Sequence, residues 1–473
     1  MFRFTTHFMA GLAALWVVTA CVSMAPRYEA PALPVPEGYP ADAPGASGVA
    51  LDSAGIAWHD VLVDPDLQAI VERALQSSPD LRVAILRVEE ARALRGIQRA
   101  DRFPSVSANA AGNRGRTPAD LSITGRSEVT SAYQASVGVT TWELDFWGRV
   151  RSLDTAALES YLATDAAHRA FTVSLVAQVA DAWLVQREFD QRIDLARRSI
   201  ATREESFRIF TQRYEEGAST RLELTQVETL LTQAQALGAQ LEQARAANSH
   251  ALSLLAGAPV ELPERTGVFE KEDPIRTLRA GLPSDLLTSR PDIMAAEHQL
   301  KAAHADIGAA RAAFFPRVAL TGDFGSASAE LDGLFEAGSR AWSFLPSISL
   351  PIFTGGRLRS NLDLAWVRSN LAVANYELTV QAAFRDVADA LSSHHWLNEQ
   401  LLIQRNALRA QTERSRLAQL RYDSGASTYL EVLDAQRDLL SAEQALVQVQ
   451  RALQSSRVGL FAALGGGALG AGE

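Results

Sequence analysis

The sequence predicts an α+β membrane protein in which a half-repeat, two short β-strands and a long helical hairpin, is used twice. Three observations carry this expectation: markers that recur at a near-constant offset, long proline-free runs with helical apolar spacing, and short alternating segments at the head of each run. Ser78-Pro79-Asp80-Leu81, with Phe103-Pro104 downstream, returns as Arg290-Pro291-Asp292-Ile293 with Phe315-Pro316, at an offset of 291 − 79 = 212. Trp147-Gly148-Arg149-Val150-Arg151 returns as Gly355-Gly356-Arg357-Leu358-Arg359. Tyr214-x-x-Gly217-Ala218-Ser219-Thr220 returns as Tyr422-x-x-Gly425-Ala426-Ser427-Thr428, at 422 − 214 = 208. The lost four residues predict a shorter loop in the second copy. A period of this size exceeds any solenoid unit and reads as a duplicated half.

Taken in chain order, Arg3 and His7 precede an apolar stretch from Phe8 to Val18, too short for a membrane-spanning helix and suited to a signal-peptide core. Val18-Thr19-Ala20-Cys21 resembles a lipobox, which predicts residues 1–20 as signal peptide and Cys21 as a lipidated N-terminus; Val22 after it favours outer-membrane sorting. Cys21 is the single cysteine, so no intrachain disulfide can form. The segment from Ala25 to about Gly48, with Pro26, Pro31, Pro34, Pro36, Pro40 and Pro44, predicts an extended tether within a lipid-anchored region 21–65.

The first repeat is expected over 66–258. In it Val106-x-Ala108-x-Ala110 and Tyr133-x-Ala135-x-Val137-x-Val139 alternate apolar and small or polar residues, as a membrane strand does. No proline falls between Pro118 and Pro259, and a helix from about Arg149 to Tyr214 would run roughly 100 Å at 1.5 Å per residue. Ala156, Ala163, Ala166 and Ala170 allow close helix approach. Gly217 suits a left-handed helix end, and Thr220-x-x-Glu223 reads as a capping box that starts the returning helix, which ends at Leu255-Ala256-Gly257.

Residues 259–284 read as an inter-repeat linker, and 285–465 as the second repeat. Val318-x-Leu320 with Phe324, and Trp342-x-Phe344-x-Pro346-x-Ile348-x-Leu350, form the second pair of strands. Trp142, Trp147 and Trp342 stand where interfacial aromatics belong. Leu364, Val367, Leu371, Ala374 and Leu378 step by 3 and 4, as do Leu439, Ala442, Leu446, Val449 and Leu453, predicting coiled-coil seams. Gly425 and Thr428-x-x-Glu431 repeat the hairpin tip. Gly465-Gly466-Gly467 opens a flexible tail, 466–473.

A sheet of four strands cannot span lipid, because its edges leave backbone groups unsatisfied, so the chain must pool strands with copies of itself. Two copies give eight strands and three give twelve. The net charge of −10 gives no basic surface for nucleic acid. There is no G-x-x-x-x-G-K-[ST] phosphate loop, and neighbouring helical residues such as His394-His395 point about 100° apart, poor geometry for one metal. No catalytic residue, metal or cofactor is expected. A lipid-anchored coiled-coil scaffold without a pore is the alternative from another class.

Ser289-Arg290-Pro291-Asp292-Ile293, Ala309-Ala310-Arg311-Ala312-Ala313-Phe314-Phe315-Pro316, Pro351-Ile352-Phe353-Thr354-Gly355-Gly356-Arg357-Leu358 and Tyr422-x-x-Gly425 through Leu433-Asp434-Ala435-Gln436-Arg437 resemble the TolC and NodT type of outer membrane factor, lipoprotein branch. The resemblance implies a homotrimer, with a twelve-stranded β-barrel in the outer membrane continuous with a periplasmic helical barrel. It also implies a periplasmic adaptor and an inner-membrane RND-type pump as partners, with the chain as their passive exit duct. Leu430, Asp434 and Arg437 share one helix face beside Glu431, and under threefold symmetry Leu430 would form an apolar collar and Asp434 a carboxylate ring at the periplasmic gate. Tyr422 and Glu223 match positions whose inter-helix contacts hold such gates shut. Glu stands at 223 and 431 where relatives also carry Asp, which changes the reach of those contacts.

Overall fold

The computed structural model describes residues 24–29, 31, 57–271, 273–278 and 290–466. Cys21, the signal segment, most of the proline-rich region, Ser289 and residues 467–473 lie outside the described residues. After a short helix at Trp58–Val61 come α1 (Pro65–Ser77), α2 (Pro79–Ala100), β1 (Val106–Thr117), β2 (Glu128–Leu144), α3 (Arg149–Glu215) and α4 (Arg221–Ala256). Then follow α5 (Pro291–Ala312), β3 (Arg317–Ser328), β4 (Arg340–Ser349), α6 (Arg357–Asp423) and α7 (Tyr429–Ala463). The duplication is exact in the long helices. Both α3 and α6 contain 67 residues, starting 357 − 149 = 208 apart, while α2 and α5 contain 22 each and start 291 − 79 = 212 apart.

The chain divides into two compact units. One is built on Val88–Thr164 and Ala295–Glu377 and contains a four-stranded antiparallel sheet in the order β1-β2-β3-β4. Its register sorts the side chains as the alternation requires. Ala108 opposes Val137, Val137 opposes Phe324 and Phe324 opposes Trp342, so one apolar row crosses all four strands. On the other face Ser107, Gly138, Asp323 and Ser343 form the matching polar row. Phe324, Trp342, Phe344 and Ile348 are exposed, so this apolar face has no cover among the described residues.

A bulge keeps that sorting intact. Val139 opposes Gly322 but Trp142 opposes Leu320, so Thr140 and Thr141 together face Thr321. Thr141 absorbs the extra residue at φ 36°, and the one-residue slip returns Trp142 to the apolar face. Just beyond it, Glu143 binds Arg149 through two contacts of 2.8 Å and Arg317 at 2.7 Å, tying the ends of β2 and β3 to the start of α3. Trp147 differs from the sequence expectation. Its indole Nε1 donates to the Pro316 carbonyl at 2.8 Å and its ring stacks on Phe315, so it locks the repeat junction rather than facing an interface.

The start of the predicted tether is docked rather than free. The Tyr28 hydroxyl donates to Glu297 at 3.3 Å, Arg311 donates to the Met24 carbonyl at 3.2 Å, and Ala25 lies so close to Gly308 that a Cβ there would meet it at 2.8 Å. Sequence spacing does not reveal this seat, because its partners are nearly 300 residues away.

The second unit is built on 57–87, Asp165–Met294 and the chain from Leu378 onward. The linker after Pro259 is packed into it. Ile275 pairs with Leu62 and is fully buried with Leu278, and Arg265 bridges to Asp64 and Asp66, each at 3.0 Å. Arg187 and Asp190 form an ion pair with no side-chain exposure at 2.8 Å, and Arg187 also donates to the Pro263 carbonyl. Arg290, the residue before Pro291, donates to Asp292 at 2.6 Å and to the Ala463 carbonyl at 2.9 Å, which anchors the end of α7. Gly466 is likewise seated: a Cβ there would meet Val173 at 2.4 Å, so the tail begins only after it.

Of the two seams, that of α7 is packed, with Leu446 and Leu453 buried. The seam of α6 is open within one chain: Val367, Leu371 and Leu378 are 63%, 59% and 65% exposed.

Gly325 marks the tightest crossing of β2 and β3. A Cβ there would lie 2.0 Å from the Ala135 carbonyl oxygen, whereas Gly115 has open space around it. Gly325→Val should therefore abolish the folded, heat-modifiable form on denaturing gels, while Gly115→Val retains it. A folded Gly325→Val protein would contradict this register.

Candidate functional site

The two hairpin tips of the second unit use one backbone motif. Gly217 and Gly425 adopt φ 77° and 73°, Ala218 N–H returns to the Arg213 carbonyl, and Ala426 N–H returns to the Arg421 carbonyl. Their side chains then diverge. At the first tip Thr220 and Glu223 form the complete capping box, and Glu223 also accepts from Ser219 at 2.9 Å. At the second, Thr428 makes no side-chain cap, and Glu431 accepts from Arg421 at 2.8 Å instead. The expected second capping box is thus replaced by an ion pair. Arginine at 421 reaches the carboxylate first and has no acidic competitor between them on its own helix turn except Asp423, which takes Gln419.

Tyr422 and Glu223 do not bond to each other within the chain. Arg213 donates to the Tyr422 hydroxyl at 2.6 Å, and its charge also favours ionised Glu223. Arg213 is therefore the intermediary between the two tips. A second link lies beside it: the Tyr429 and Ser206 hydroxyls meet at 2.7 Å, with the Tyr429 ring tilted against Phe210 at 4.5 Å and edge-on to Tyr422 at 4.9 Å. Phe210, Leu224, Val227 and Leu433 close an apolar cluster under these contacts.

Leu430 is exposed on the first turn of α7, and Asp434 follows on the same face as expected. Asp434 is paired with Arg437 at 3.2 Å, and Arg437 also binds Asp438 at 3.2 Å. Asp438 receives Arg414 of α6 at 2.6 Å, which fastens α7 to α6 below the tip. The carboxylate at 434 is therefore compensated in part within its own chain.

Residues 70–258 and 282–466 match the outer membrane efflux protein family. The chain belongs to that family. It is 45% identical over 451 residues to the outer membrane protein OprJ of Pseudomonas aeruginosa, covering 95% of this chain and 93% of OprJ. It is 43% identical over 462 residues to the solvent efflux pump outer membrane protein SrpC of Pseudomonas putida, covering 96% and 97% of the two. The crystal structure of the open state of the MtrE outer membrane channel of Neisseria gonorrhoeae superposes with a TM-score of 0.85 at 38% identity, covering 94% of this chain and 98% of MtrE. The protein is an outer-membrane efflux channel component that extends into the periplasm.

Sequence reasoning placed Leu430, Asp434 and Arg437 together on one face of α7, which the structure shows. It missed Arg213, Ser206 and Tyr429, whose only sequence signal is that each lies within about three turns of a tip glycine.

Two carboxyls at the tips are held below their usual range. Glu223 is lowered first by the Thr220 backbone N–H and then by the Ser219 hydroxyl, and Asp438 by its hydrogen bond to Arg414 and then by Arg437. A depressed folded pKa contributes stability above the unfolded value of about 4, and that stability fades as pH falls through the folded value. Hydrogen-exchange protection of 217–224 and of the α7 start should hold from pH 7 to about 5 and weaken below about 4. Glu223→Gln should remove this acid dependence at the first tip alone; an unchanged profile would disconnect the cap from tip stability.

Proposed function

We propose that three copies of this chain close a twelve-stranded barrel in the outer membrane and a helical tunnel in the periplasm, forming a passive exit duct gated at the hairpin tips. The observation that carries this reading is an open four-stranded sheet with one uncovered apolar face, joined to helices of 67 residues whose α6 seam is also uncovered. An edge strand in hydrocarbon leaves a row of unpaired backbone groups, so β4 of one copy must meet β1 of the next. The Leu364–Leu378 seam would be covered by the neighbouring copy in the same way. Twelve strands leave a lumen, and the polar row of Ser107, Gly138, Asp323 and Ser343 lines it.

A periplasmic adaptor and an inner-membrane pump of the RND type supply substrate and energy, and this chain breaks no covalent bond. In its closed state Leu430 packs at the tunnel tip, with Asp434 favouring cations and Arg437 tempering it. The Arg213–Tyr422 and Ser206–Tyr429 links hold the hairpins together. Adaptor binding opens the tip by differential affinity for the splayed state. Single-channel conductance and reversal potential in planar bilayers test the gate. Tyr422→Phe should raise conductance, about 1–3 kcal/mol of charge-assisted hydrogen bonding from Arg213 being lost, and Glu223→Gln should raise it less, since it removes only the charge that Arg213 faces. Asp434→Asn should weaken cation preference without widening the pore. Unchanged values in all variants would return these residues to ordinary helix caps, and a protein that never conducts would favour a scaffold without a pore.

Cys21 carries the acyl anchor in this reading, and residues 24–29 hold the adjoining segment against α5. Cys21→Ser should leave precursor or unlipidated material, detected by mass spectrometry of the N-terminus. An unmodified, signal-bearing N-terminus in the wild type would defeat the anchor. The residue bounds 1–20, 21–65, 66–258, 259–284, 285–465 and 466–473 are proposed for the processed segments and repeats.

A further inference from the structure

Within the helical unit, α3, α4 and α7 line an open groove of about 380 Å³ whose walls include three arginines, Arg192, Arg203 and Arg437, and no acidic residue. Two of them are satisfied elsewhere. Arg192 donates to Glu188 at 2.8 Å and to Gln444, and Arg437 binds Asp434 and Asp438. Arg203 is different. It is 4% exposed, its Nη1 donates to the Leu230 carbonyl at 2.7 Å, and its buried Nη2 has no hydrogen-bond partner among the described residues.

An arginine cannot escape burial by shedding its proton as a lysine can, so a buried guanidinium demands a counter-charge. Among the described residues no carboxylate bonds to it, and burial together with the Arg437 charge works against its ionised form. The groove also presents Gln233, Gln448 and Ser441, donors suited to oxygens that the arginines leave unmet. Its volume, where each liquid water takes about 30 Å³, is that of a small pocket rather than a single-water void.

We propose that this groove is a binding site for a small oxoanion, a carboxylate- or phosphate-bearing molecule, held by the planar fork of Arg203 within the positive field of Arg192 and Arg437. The fork geometry matches both anion types bidentately, whereas a monatomic anion such as chloride satisfies only one direction of it. The site is assembled within one chain and shares Arg437 with the gate face of α7. Occupancy would brace α3 against α4 and α7, one to two helical turns above the contacts that close the tips.

The test uses the full-length, assembled protein in detergent, titrated calorimetrically with inorganic phosphate and separately with succinate, in chloride buffer at fixed ionic strength. Saturable binding of either anion supports the site, and the arm that binds more tightly identifies its chemistry. Arg203→Gln should weaken that binding by about tenfold or more, the loss of one charge-assisted bidentate pair. Arg208→Gln, which removes an exposed arginine paired to Glu205 on the same helix, should leave it unchanged. If Arg203→Gln fails to assemble, Arg437→Gln carries the test and should weaken binding at least about threefold by removing field alone. No saturable binding by the wild type, equal affinity in the tested lining variant, or a carboxylate of a neighbouring copy seated on Arg203 in the assembled channel would overturn the proposal.

Discussion

Backbone hydrogen bonding in hydrocarbon is the constraint on which this architecture depends. The sheet satisfies every internal ladder among β1, β2, β3 and β4 and leaves two outer edges. In water an edge can be solvated; in lipid it cannot, and several kcal/mol per unsatisfied group would accumulate along the edge strands β1 and β4, of 12 and 10 residues. Self-association is therefore not an addition to the fold but a condition of it. The same requirement explains why the apolar row through Ala108, Val137, Phe324 and Trp342 must survive the bulge at Thr141. Without the extra residue of the bulge Trp142 would point to the polar face, so a strained φ at one threonine keeps Trp142 and Leu320 on the apolar side.

The helices inherit their length from the same duplication but not their packing. Both long helices have 67 residues, yet α3 buries Ala156, Ala163 and Ala166 while α6 exposes Val367, Leu371 and Leu378. Alanine lets a neighbouring backbone approach closely and be met within the chain. Leucine and valine at the equivalent turns keep a seam that only a large apolar partner can fill. Two halves descended from one repeat thus divide the work: one closes inward on its own chain and the other reaches outward to a copy.

Most elements were legible in the sequence because their signals are local. The 208- and 212-residue offsets, the proline-free runs and the tip glycines place every long helix within a residue or two, and alternation places the strands. What escaped reading depends on partners far apart in sequence. The Trp147 indole meets a carbonyl 169 residues away, Tyr28 meets Glu297 at a separation of 269, and Tyr422 meets Arg213 at 209. Thr428-x-x-Glu431 satisfies the capping pattern as well as Thr220-x-x-Glu223 does, and fails because Arg421 competes for the same carboxylate. A local motif states which bonds are available, and the three-dimensional neighbours decide which one forms.

That competition makes the two tips mechanically unequal. At the first, Glu223 is held by backbone and hydroxyl donors of its own turn, a cap worth about 1 kcal/mol that salt barely affects. At the second, Glu431 and Arg421 form a partly exposed ion pair, worth about 0–1 kcal/mol and screened by salt. The second hairpin also carries Leu430, Asp434 and Arg437, the residues that narrow the pore in the gate reading. The weaker, ionic closure therefore coincides with the gating face, and the rigid cap with the hairpin that Arg213 uses as its base. In that gate reading the division has a use: a duct that opens at one end without unfolding would keep the shape of the capped hairpin and pivot the other on exchangeable ionic contacts.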